Sequence, residues 1–156
     1  MNFLTRRIRG ALLRLLKPLV QEIQLGSYSL YGAKERLVIA SSARVANTLF
    51  NTYSGRIEIR DHAFTGHNVS ILTGSHDYSA TREARLEVCP KDGNDILVEE
   101  GAWLGSNVVV IGPATIGKDS VVAAGSVVKG DIPPGVIAGG VPAKVIKEIP
   151  LECPKG

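Results

Sequence analysis

The sequence has few aromatic residues, only two cysteines and no long apolar segment. Aromatic residues make up 5% of the chain, whereas glycine occurs 17 times, so the core must consist mainly of aliphatic side chains on a backbone with many turns. Cys89 and Cys153 are too few for a disulfide framework and belong to no CxxC pair. No segment has the length of a transmembrane helix, and no signal-peptide cleavage site follows the N-terminal leucines. We therefore expect a single cytoplasmic domain over residues 1–156 with reduced thiols.

The chain also lacks a large excess of either charge. Its net charge is +3, and much of the excess lies before the first acidic residue, at Arg6, Arg7, Arg9, Arg14 and Lys17. The rest is close to neutral, which argues against a nucleic-acid-binding surface.

Residues 1–24 carry apolar side chains at helical spacing. This pattern predicts a basic amphipathic helix, with its stripe at Leu4, Ile8, Leu12, Leu15, Leu19 and Ile23. Such a helix either rests on an anionic membrane surface as a peripheral contact or packs its apolar side against its own domain.

After this helix the apolar pattern changes to a period of six residues. Aliphatic residues recur at Val98, Leu104, Val110, Ile116, Val122 and Val128. Small or aliphatic residues accompany them at Ala102, Val108, Ala114, Ser120, Ser126 and Ile132. Neither a helix nor a hairpin has this period. Each hexapeptide predicts one short strand and a turn, with the aliphatic side chain in a narrow interior, so the sequence predicts an all-β solenoid.

An earlier set of repeats is less regular. It comprises Ile39, Val45 and Asn51, and after a slip of two residues Ile59, Thr65 and Ile71, with Ala43, Leu49, Ala63, Val69 and Ser75 as companions. The period then disappears in a polar stretch. We predict N-terminal coils over residues 37–76, a protruding loop over 77–97, C-terminal coils over 98–133 and a C-terminal segment and tail over 134–156. A long loop inside a regular scaffold is usually functional.

Several motifs resemble the hexapeptide-repeat acyltransferases over roughly residues 39–148. They are Trp103-Leu104-Gly105-Ser106-Asn107, Gly125-Ser126-Val127-Val128, Asp131-Ile132-Pro133 and Gly139-Gly140-Val141-Pro142-Ala143-Lys144. The sequence is most similar to galactoside, maltose and polysaccharide O-acetyltransferases. The resemblance implies a left-handed parallel β-helix, a homotrimer with active sites between subunits, acetyl-CoA as donor, a sugar hydroxyl as acceptor and no metal.

The resemblance also implies the catalytic residues. Leu72-Thr73-Gly74-Ser75-His76-Asp77 is similar to the family's catalytic segment, which makes His76 the general base. Imidazole, with an unperturbed pKa of about 6.5, accepts a hydroxyl proton near neutral pH. Direct transfer agrees with the lack of a nucleophile motif such as GxSxG. The segment Ala46–Asn51 resembles one that stabilises the oxyanion, through Asn51 or Asn47.

Three charged residues of the loop are candidates for substrate binding. Asp77 either orients the substrate or imidazole or is a solvated carboxylate. Arg82 and Arg85 either hold the acceptor or are solvated charges.

The C-terminal coils supply the residues implied for donor binding. Ser106 and Ala124 lie eighteen positions apart and should stack along a groove for pantetheine, with Gly105 and Gly125 allowing close approach. These glycines are alternatively only corners of the solenoid. Trp103 flanks the donor or acceptor, or covers a subunit seam. The basic positions near the donor phosphates are Lys129, Lys144 and Lys147.

Two other functions are compatible with the same fold. Trimeric carbonic anhydrases bind a metal with histidines, and this chain has three. However, His62, His67 and His76 lack the long ligand separation of that family, and His62 and His67 are interpreted as surface residues. A non-catalytic scaffold subunit would need no loop histidine. The preferred hypothesis is sugar O-acetylation in surface polysaccharide or lipopolysaccharide biosynthesis.

Overall fold

The computed structural model of the protein describes residues 27–150 together with Leu12, Leu15 and Leu16. These three leucines are helical, and 53%, 74% and 40% of their surface is exposed. The remainder of the predicted helix over residues 1–24, and with it the predicted membrane contact, lies outside the described residues. Among the described helices, none is long and apolar enough to cross a bilayer.

The described chain consists almost entirely of short strands joined by tight turns. A 3₁₀ turn at Lys34–Arg36 and one helix, α1 at Arg82–Glu87, interrupt them. The strands are β1 Ser29–Tyr31, β2 Leu37–Ile39, β3 Thr48–Asn51, β4 Ile57–Ile59, β5 Phe64–Thr65, β6 Val69–Leu72, β7 Ile96–Val98, β8 Trp103–Leu104, β9 Val109–Ile111, β10 Ala114–Ile116, β11 Val121–Val122, β12 Val127–Lys129, β13 Val136–Gly140 and β14 Ala143–Glu148.

The strands form three sheets that the chain visits in turn. Sheet A has the order β1-β3-β6-β9-β12, sheet B the order β10-β7-β4-β2 and sheet C the order β14-β13-β11-β8-β5. Every pair is parallel except β13 with β14. Because consecutive strands from β3 to β12 belong to different sheets, each coil there contributes one strand to each face of a prism. This is the predicted left-handed parallel β-helix.

The interior of the C-terminal coils follows the predicted six-residue period. All six aliphatic positions from Val98 to Val128 are at most 2% exposed, and the companion positions from Ala102 to Ile132 are at most 5% exposed. Since residues alternate between the two sides of a strand, each face contributes a column of aliphatic side chains to the interior.

The earlier repeats depart from the prediction in register. Phe50 is fully buried, whereas Asn51 and Leu49 are half-buried on the outer side of sheet A and Ser75 is exposed. The physical reason is coil length. Ala114 lies opposite Ile96, eighteen residues earlier, but Val69 lies opposite Thr48, twenty-one residues earlier. The extra residues reverse which side chains face inward.

The corners of the β-helix use left-handed backbone conformations. Asn47, Asn68 and Asn107 have φ values of 51°, 57° and 60° at stacked corners that precede strands of sheet A. Asparagine tolerates this conformation better than most residues. The Asn47 Nδ2 donates to Asn68 Oδ1 at 2.8 Å, so the amides also link neighbouring coils. His62 occupies an equivalent corner with φ of 58°, and both His62 and His67 are exposed.

One loop, residues 73–95, leaves the β-helix between β6 and β7 and contains α1. It begins and ends slightly earlier than predicted, since Ile96 and Leu97 belong to β7. Its two ends are joined, because Asn94 Nδ2 donates to the Thr73 carbonyl at 3.0 Å. At the C-terminal end of the β-helix, β14 folds back on β13 and covers the edge of sheet C.

Candidate active site

An open pocket of about 370 Å³ lies where the loop leaves sheet A. It places the His76 and Asn51 side chains on one surface although they come from different coils. The residues that line it are Asn51, Tyr53, Gly74, Ser75, His76, Leu86 and Cys89.

The His76 imidazole is held by the loop that follows it. Its Nδ1 lies 2.7 Å from the Arg85 carbonyl oxygen. Because a carbonyl oxygen can only accept, Nδ1 carries the proton in the neutral ring and Nε2 keeps its lone pair. The Cys89 Sγ lies 3.2 Å from Nδ1 and 3.7 Å from Nε2. The ring is therefore held between a carbonyl that contacts Nδ1 and a thiol within reach of both ring nitrogens.

The Asn51 amide is fixed by its neighbours. Its Oδ1 accepts a hydrogen bond from the Tyr53 backbone N–H at 2.9 Å, which leaves Nδ2 as the donating end of the amide. A Cβ added to Gly74 would lie 2.7 Å from both amide atoms of Asn51. The glycine is therefore needed for the amide to lie against this strand end.

Asn47, the other oxyanion candidate, lies elsewhere. It lines a separate depression together with Asn68 and Ser70, and its amide is engaged with Asn68. The corner role of Asn47 explains its residue type, and the geometry contradicts a role beside His76 of the same chain.

The three charged loop residues do not line the pocket. Asp77 Oδ1 accepts from the Ser79 backbone N–H at 2.8 Å and from its hydroxyl at 2.6 Å. These two bonds, the hydroxyl first, lower the pKa of this exposed carboxyl below its ordinary value. Asp77 is therefore the charged cap of a local turn rather than a partner of the imidazole.

Arg82 and Arg85 likewise lie outside the pocket, and their predicted role in binding the acceptor stays a prediction. Arg82 is exposed at the start of α1. The Arg85 guanidinium donates to the carbonyls of Ala80 at 2.7 Å and Tyr78 at 3.2 Å. Its side chain therefore folds the loop, and the contribution of Arg85 to the pocket is its backbone carbonyl.

The small residues predicted for donor binding stack at the corner between sheets C and A. The Gly125 N–H donates to the Ser106 carbonyl at 2.9 Å, so Ser106 and Ala124–Gly125 lie on adjacent coils as predicted from their spacing. A Cβ on Gly105 would lie 2.6 Å from the Ala124 nitrogen, whereas one on Gly125 would meet nothing within 4 Å. Gly105 is therefore required for coil stacking, and Gly125 borders open space at a φ of 73°.

The predicted basic residues divide between two faces. Lys144 and Lys147 are exposed on β14 at the edge of sheet C. Lys129 lies on the outer side of sheet A, in the column that contains Asn51, Leu72 and Ile111.

Trp103 is on the outer side of sheet C. It is 43% exposed, and its ring stacks on Phe64 with centroids 5.5 Å apart. It lines neither the His76 pocket nor its rim within the same chain.

The small-residue corner and the His76 pocket lie at opposite ends of the strands of sheet A. The corner precedes β9 and β12, whereas the loop carrying His76 follows β6. A strand of three to four residues separates them, which is about 10–13 Å. One chain therefore does not place its own donor corner next to its own imidazole.

Sequence reasoning missed five residues of the pocket, one of which is Ser75, the neighbour of the predicted base. Tyr53 and Leu86 supply apolar walls, Gly74 accommodates Asn51, and Cys89 contacts the imidazole. Gly74 has a signal in the sequence, since it lies two residues before the predicted base. Cys89 has none, because the loop has no repeat from which its position follows.

The histidines do not form a metal site in the described part of the chain. No group of three His, Cys, Asp or Glu side chains there is arranged to hold a metal ion. His62 lines a different depression, with Ser42, Arg44 and Phe64.

Comparison with known proteins identifies the same repeats. Residues 95–130 match the family model described as bacterial transferase hexapeptide (six repeats). Galactoside O-acetyltransferase of Escherichia coli is 29% identical in an alignment covering 92% of this chain and 79% of the relative. The chain spans less than half the length of three further relatives that it matches.

Solved structures have the same architecture. A maltose O-acetyltransferase from Clostridium difficile has a TM-score of 0.55 at 29% identity, covering 79% of this chain and 67% of that one. A hexapeptide-repeat acetyltransferase from Vibrio cholerae, solved with acetyl coenzyme A, has a TM-score of 0.56 at 26% identity, covering 87% of this chain and 78% of that one. In its repeat period, its three-sided β-helix and its sequence, the chain is therefore similar to the hexapeptide-repeat acetyltransferases.

Proposed function

We propose that this protein transfers the acetyl group of acetyl-CoA directly to a sugar hydroxyl, with His76 as the general base. The observation that carries the proposal is the 2.7 Å contact between His76 Nδ1 and the Arg85 carbonyl. It leaves the Nε2 lone pair available for proton transfer, in a pocket that also holds the Asn51 amide. A base, an amide donor and an open pocket are the parts that this reaction requires.

The proposed reaction proceeds without an acyl-enzyme. Nε2 of His76 removes the proton of the acceptor hydroxyl while its oxygen attacks the thioester carbonyl. The carbonyl oxygen becomes an oxyanion and accepts a hydrogen bond from Asn51 Nδ2. When the tetrahedral intermediate collapses, the carbon–sulfur bond breaks and the imidazolium returns its proton to the departing CoA thiolate. The products are the acetyl ester and free CoA.

Acetyl-CoA is the donor that the relatives support. The Vibrio cholerae acetyltransferase was solved with acetyl coenzyme A bound. In this chain, the stacked corner of Ser106, Ala124 and Gly125 offers space for an extended pantetheine arm. Lys144 and Lys147 lie on the neighbouring β14, where their ammonium groups suit the donor phosphates. Trp103 and Lys129 are further donor candidates.

A homotrimer would join the separated parts of the site. The outer sides of sheets A and C carry apolar columns that a single chain leaves in part exposed, whereas the outer side of sheet B carries Glu58 between Arg56 and Arg60. The outward columns are Leu49, Ser70, Val109 and Val127 on sheet A, apolar except for Ser70, and Phe64, Trp103, Val121 and Ile137 on sheet C. Packing sheet C of one subunit near sheet A of the next would bring the donor corner of one chain to the His76 of another.

The acceptor is proposed to be a sugar in a surface polysaccharide or lipopolysaccharide pathway of the cytoplasm. The relatives named above are galactoside and maltose O-acetyltransferases. In the pocket, the Tyr53 ring and the Leu86 side chain provide apolar surface beside the polar His76 and Asn51. This combination suits a sugar ring, which has an apolar face and hydroxyl edges.

The test is CoA release from acetyl-CoA across a panel of sugars, nucleotide sugars and short glycans. His76→Asn should lower kcat/KM by two to four orders of magnitude, which is about the contribution of a general base. His62→Asn is the matched control, because His62 is exposed outside the pocket and should leave the rate unchanged. If acceptor-dependent release by His76→Asn equals that of the wild type, His76 is not the base.

A further inference from the structure

The His76 imidazole is held by a part of the loop that returns toward the β-helix. This return segment is residues 88–92. Its Cys89 Sγ lies 3.2 Å from His76 Nδ1, and the Asp77 N–H donates to the Val88 carbonyl at 3.3 Å. The position of the return segment therefore determines where the Cys89 thiol contacts the imidazole.

The return segment is attached to the first coil by Arg36, which belongs to the 3₁₀ turn Lys34–Arg36. Its Nη1 donates to the Lys91 carbonyl at 2.6 Å and its Nη2 to Asp92 Oδ1 at 2.8 Å. Among the described residues, these are the two hydrogen bonds from the coils to residues 88–92. A guanidinium makes both at once because its N–H groups form a rigid planar fork.

The two Arg36 contacts contribute little to the free energy of unfolding. The Arg36 and Asp92 side chains are 34% and 80% exposed, and an exposed ion pair contributes at most about 1 kcal/mol. The β-helix core lies away from it, in the aliphatic columns. Loss of the Arg36 contacts should therefore leave the fold intact and release the return segment alone.

We propose that Arg36 is a positioning residue for the acetyl transfer. By fixing residues 88–92 it keeps the Cys89 thiol against the imidazole, which holds Nδ1 on the Arg85 carbonyl and Nε2 toward the acceptor. Arg36 touches no substrate and acts through the loop. The inference rests on the proposed function, in which His76 Nε2 is the base.

The first test reads the imidazole itself, without any reaction. The chain has three histidines, so ¹⁵N NMR of His-labelled protein, with His76→Asn for assignment, reports the tautomer of His76 at a pH of about 8.5, where imidazole is neutral. The wild type should show the Nδ1–H tautomer. Arg36→Met should shift it toward a mixture with Nε2–H. Arg60→Met, which removes another half-exposed arginine paired with a carboxylate on sheet B, should not.

The second test is kinetic. Arg36→Met should lower kcat about tenfold, as expected when a catalytic group loses its alignment, with KM for acetyl-CoA unchanged. Arg36→Lys should restore part of the rate, since an ammonium makes one of the two contacts at a time. Arg60→Met should retain wild-type kcat. Equal melting temperatures among the three variants would separate positioning from stability.

The outcomes distinguish this inference from the proposed function. If Arg36→Met leaves both the His76 tautomer and kcat unchanged while His76→Asn is inactive, His76 is the base and Arg36 does not position it. If Arg36→Met changes the tautomer but no acceptor supports CoA release by the wild type, the attachment is real and the proposed function is wrong.

Discussion

Gly74 leaves no space for a further carbon atom beside the Asn51 amide. A Cβ at this position would lie 2.7 Å from both the oxygen and nitrogen of the Asn51 amide, and contacts below 3.0 Å require something to move. Asn51 is held from the other side by the Tyr53 N–H. An alanine at this position would therefore displace the Asn51 amide from this orientation.

We expect Gly74→Ala to lower kcat by at least about tenfold, because the displaced Asn51 amide no longer meets the oxyanion. Asn51→Ala, which removes the donor entirely, should cost about a hundredfold or more. Steady-state kinetics at saturating acetyl-CoA measure both. Should Gly74→Ala retain full kcat while Asn51→Ala does not, the amide tolerates displacement and the glycine has no catalytic consequence.

Residue roles could be predicted from the sequence only where a motif covers them. The resemblance of its segment to a catalytic one points to His76, and the structure places it in a pocket with Asn51, while its role as the base stays a prediction. The choice between Asn51 and Asn47 could not be made, because both lie in one segment and their separation depends on coil register. The Arg85 carbonyl and Cys89 thiol depend on how the loop folds back, which residue type does not encode.

At the scale of elements, the strands are held in place by the aliphatic side chains that they direct into the interior of the β-helix. In sheet B, Ile116 on β10 lies directly opposite Val98 on β7, and both are buried. Thr115, its neighbour on the same strand, lies on the outer side. A single strand therefore offers one position that packs the interior and one that does not.

Ile116→Ala should lower the free energy of unfolding by about 2–5 kcal/mol, since a buried isoleucine loses its contacts and leaves a cavity. Thr115→Ala should change it by about 0.5 kcal/mol or less. Denaturant unfolding at one fixed protein concentration measures both. Comparable losses for the two variants would mean that the alternation along β10 does not decide stability.

The coils differ in how far their pattern could be predicted. From Ile96 to Lys129 paired strands lie eighteen residues apart, so the period of six identifies their interior. The first coil has additional residues before β4, and the period assigned Asn51 to the interior in place of Phe50. The period of apolar residues predicts which side chains face the interior only where the coils have equal lengths.

At the scale of the whole molecule, the three faces are not equivalent. Val109 in sheet A and Leu97 in sheet B are both half-buried outward residues on strands with a neighbour on each side. Val109 continues the apolar column to Val127. Leu97 lies between the charged Glu58 and Thr115.

We expect Val109→Glu to dissociate the proposed trimer, because a carboxylate within an apolar subunit contact is costly to desolvate. Leu97→Glu should leave the assembly unchanged. Size-exclusion chromatography with light scattering gives the masses, and the activity of Val109→Glu should fall with dissociation. A monomeric wild type, or a Val109→Glu variant that remains trimeric, would contradict the proposed arrangement of faces.

The loop of residues 73–95 does not interrupt the sheets from which it emerges. Ile57 on β4 pairs directly with Ile96 on β7, and Ser70 on β6 with Val109 on β9, so the coils before and after the loop stack as neighbours. The pairing of the strands therefore does not depend on the length of this loop, and closing a longer loop costs little free energy. The loop can therefore be exchanged without altering the β-helix, and under the proposed function such an exchange would alter the acceptor pocket around His76.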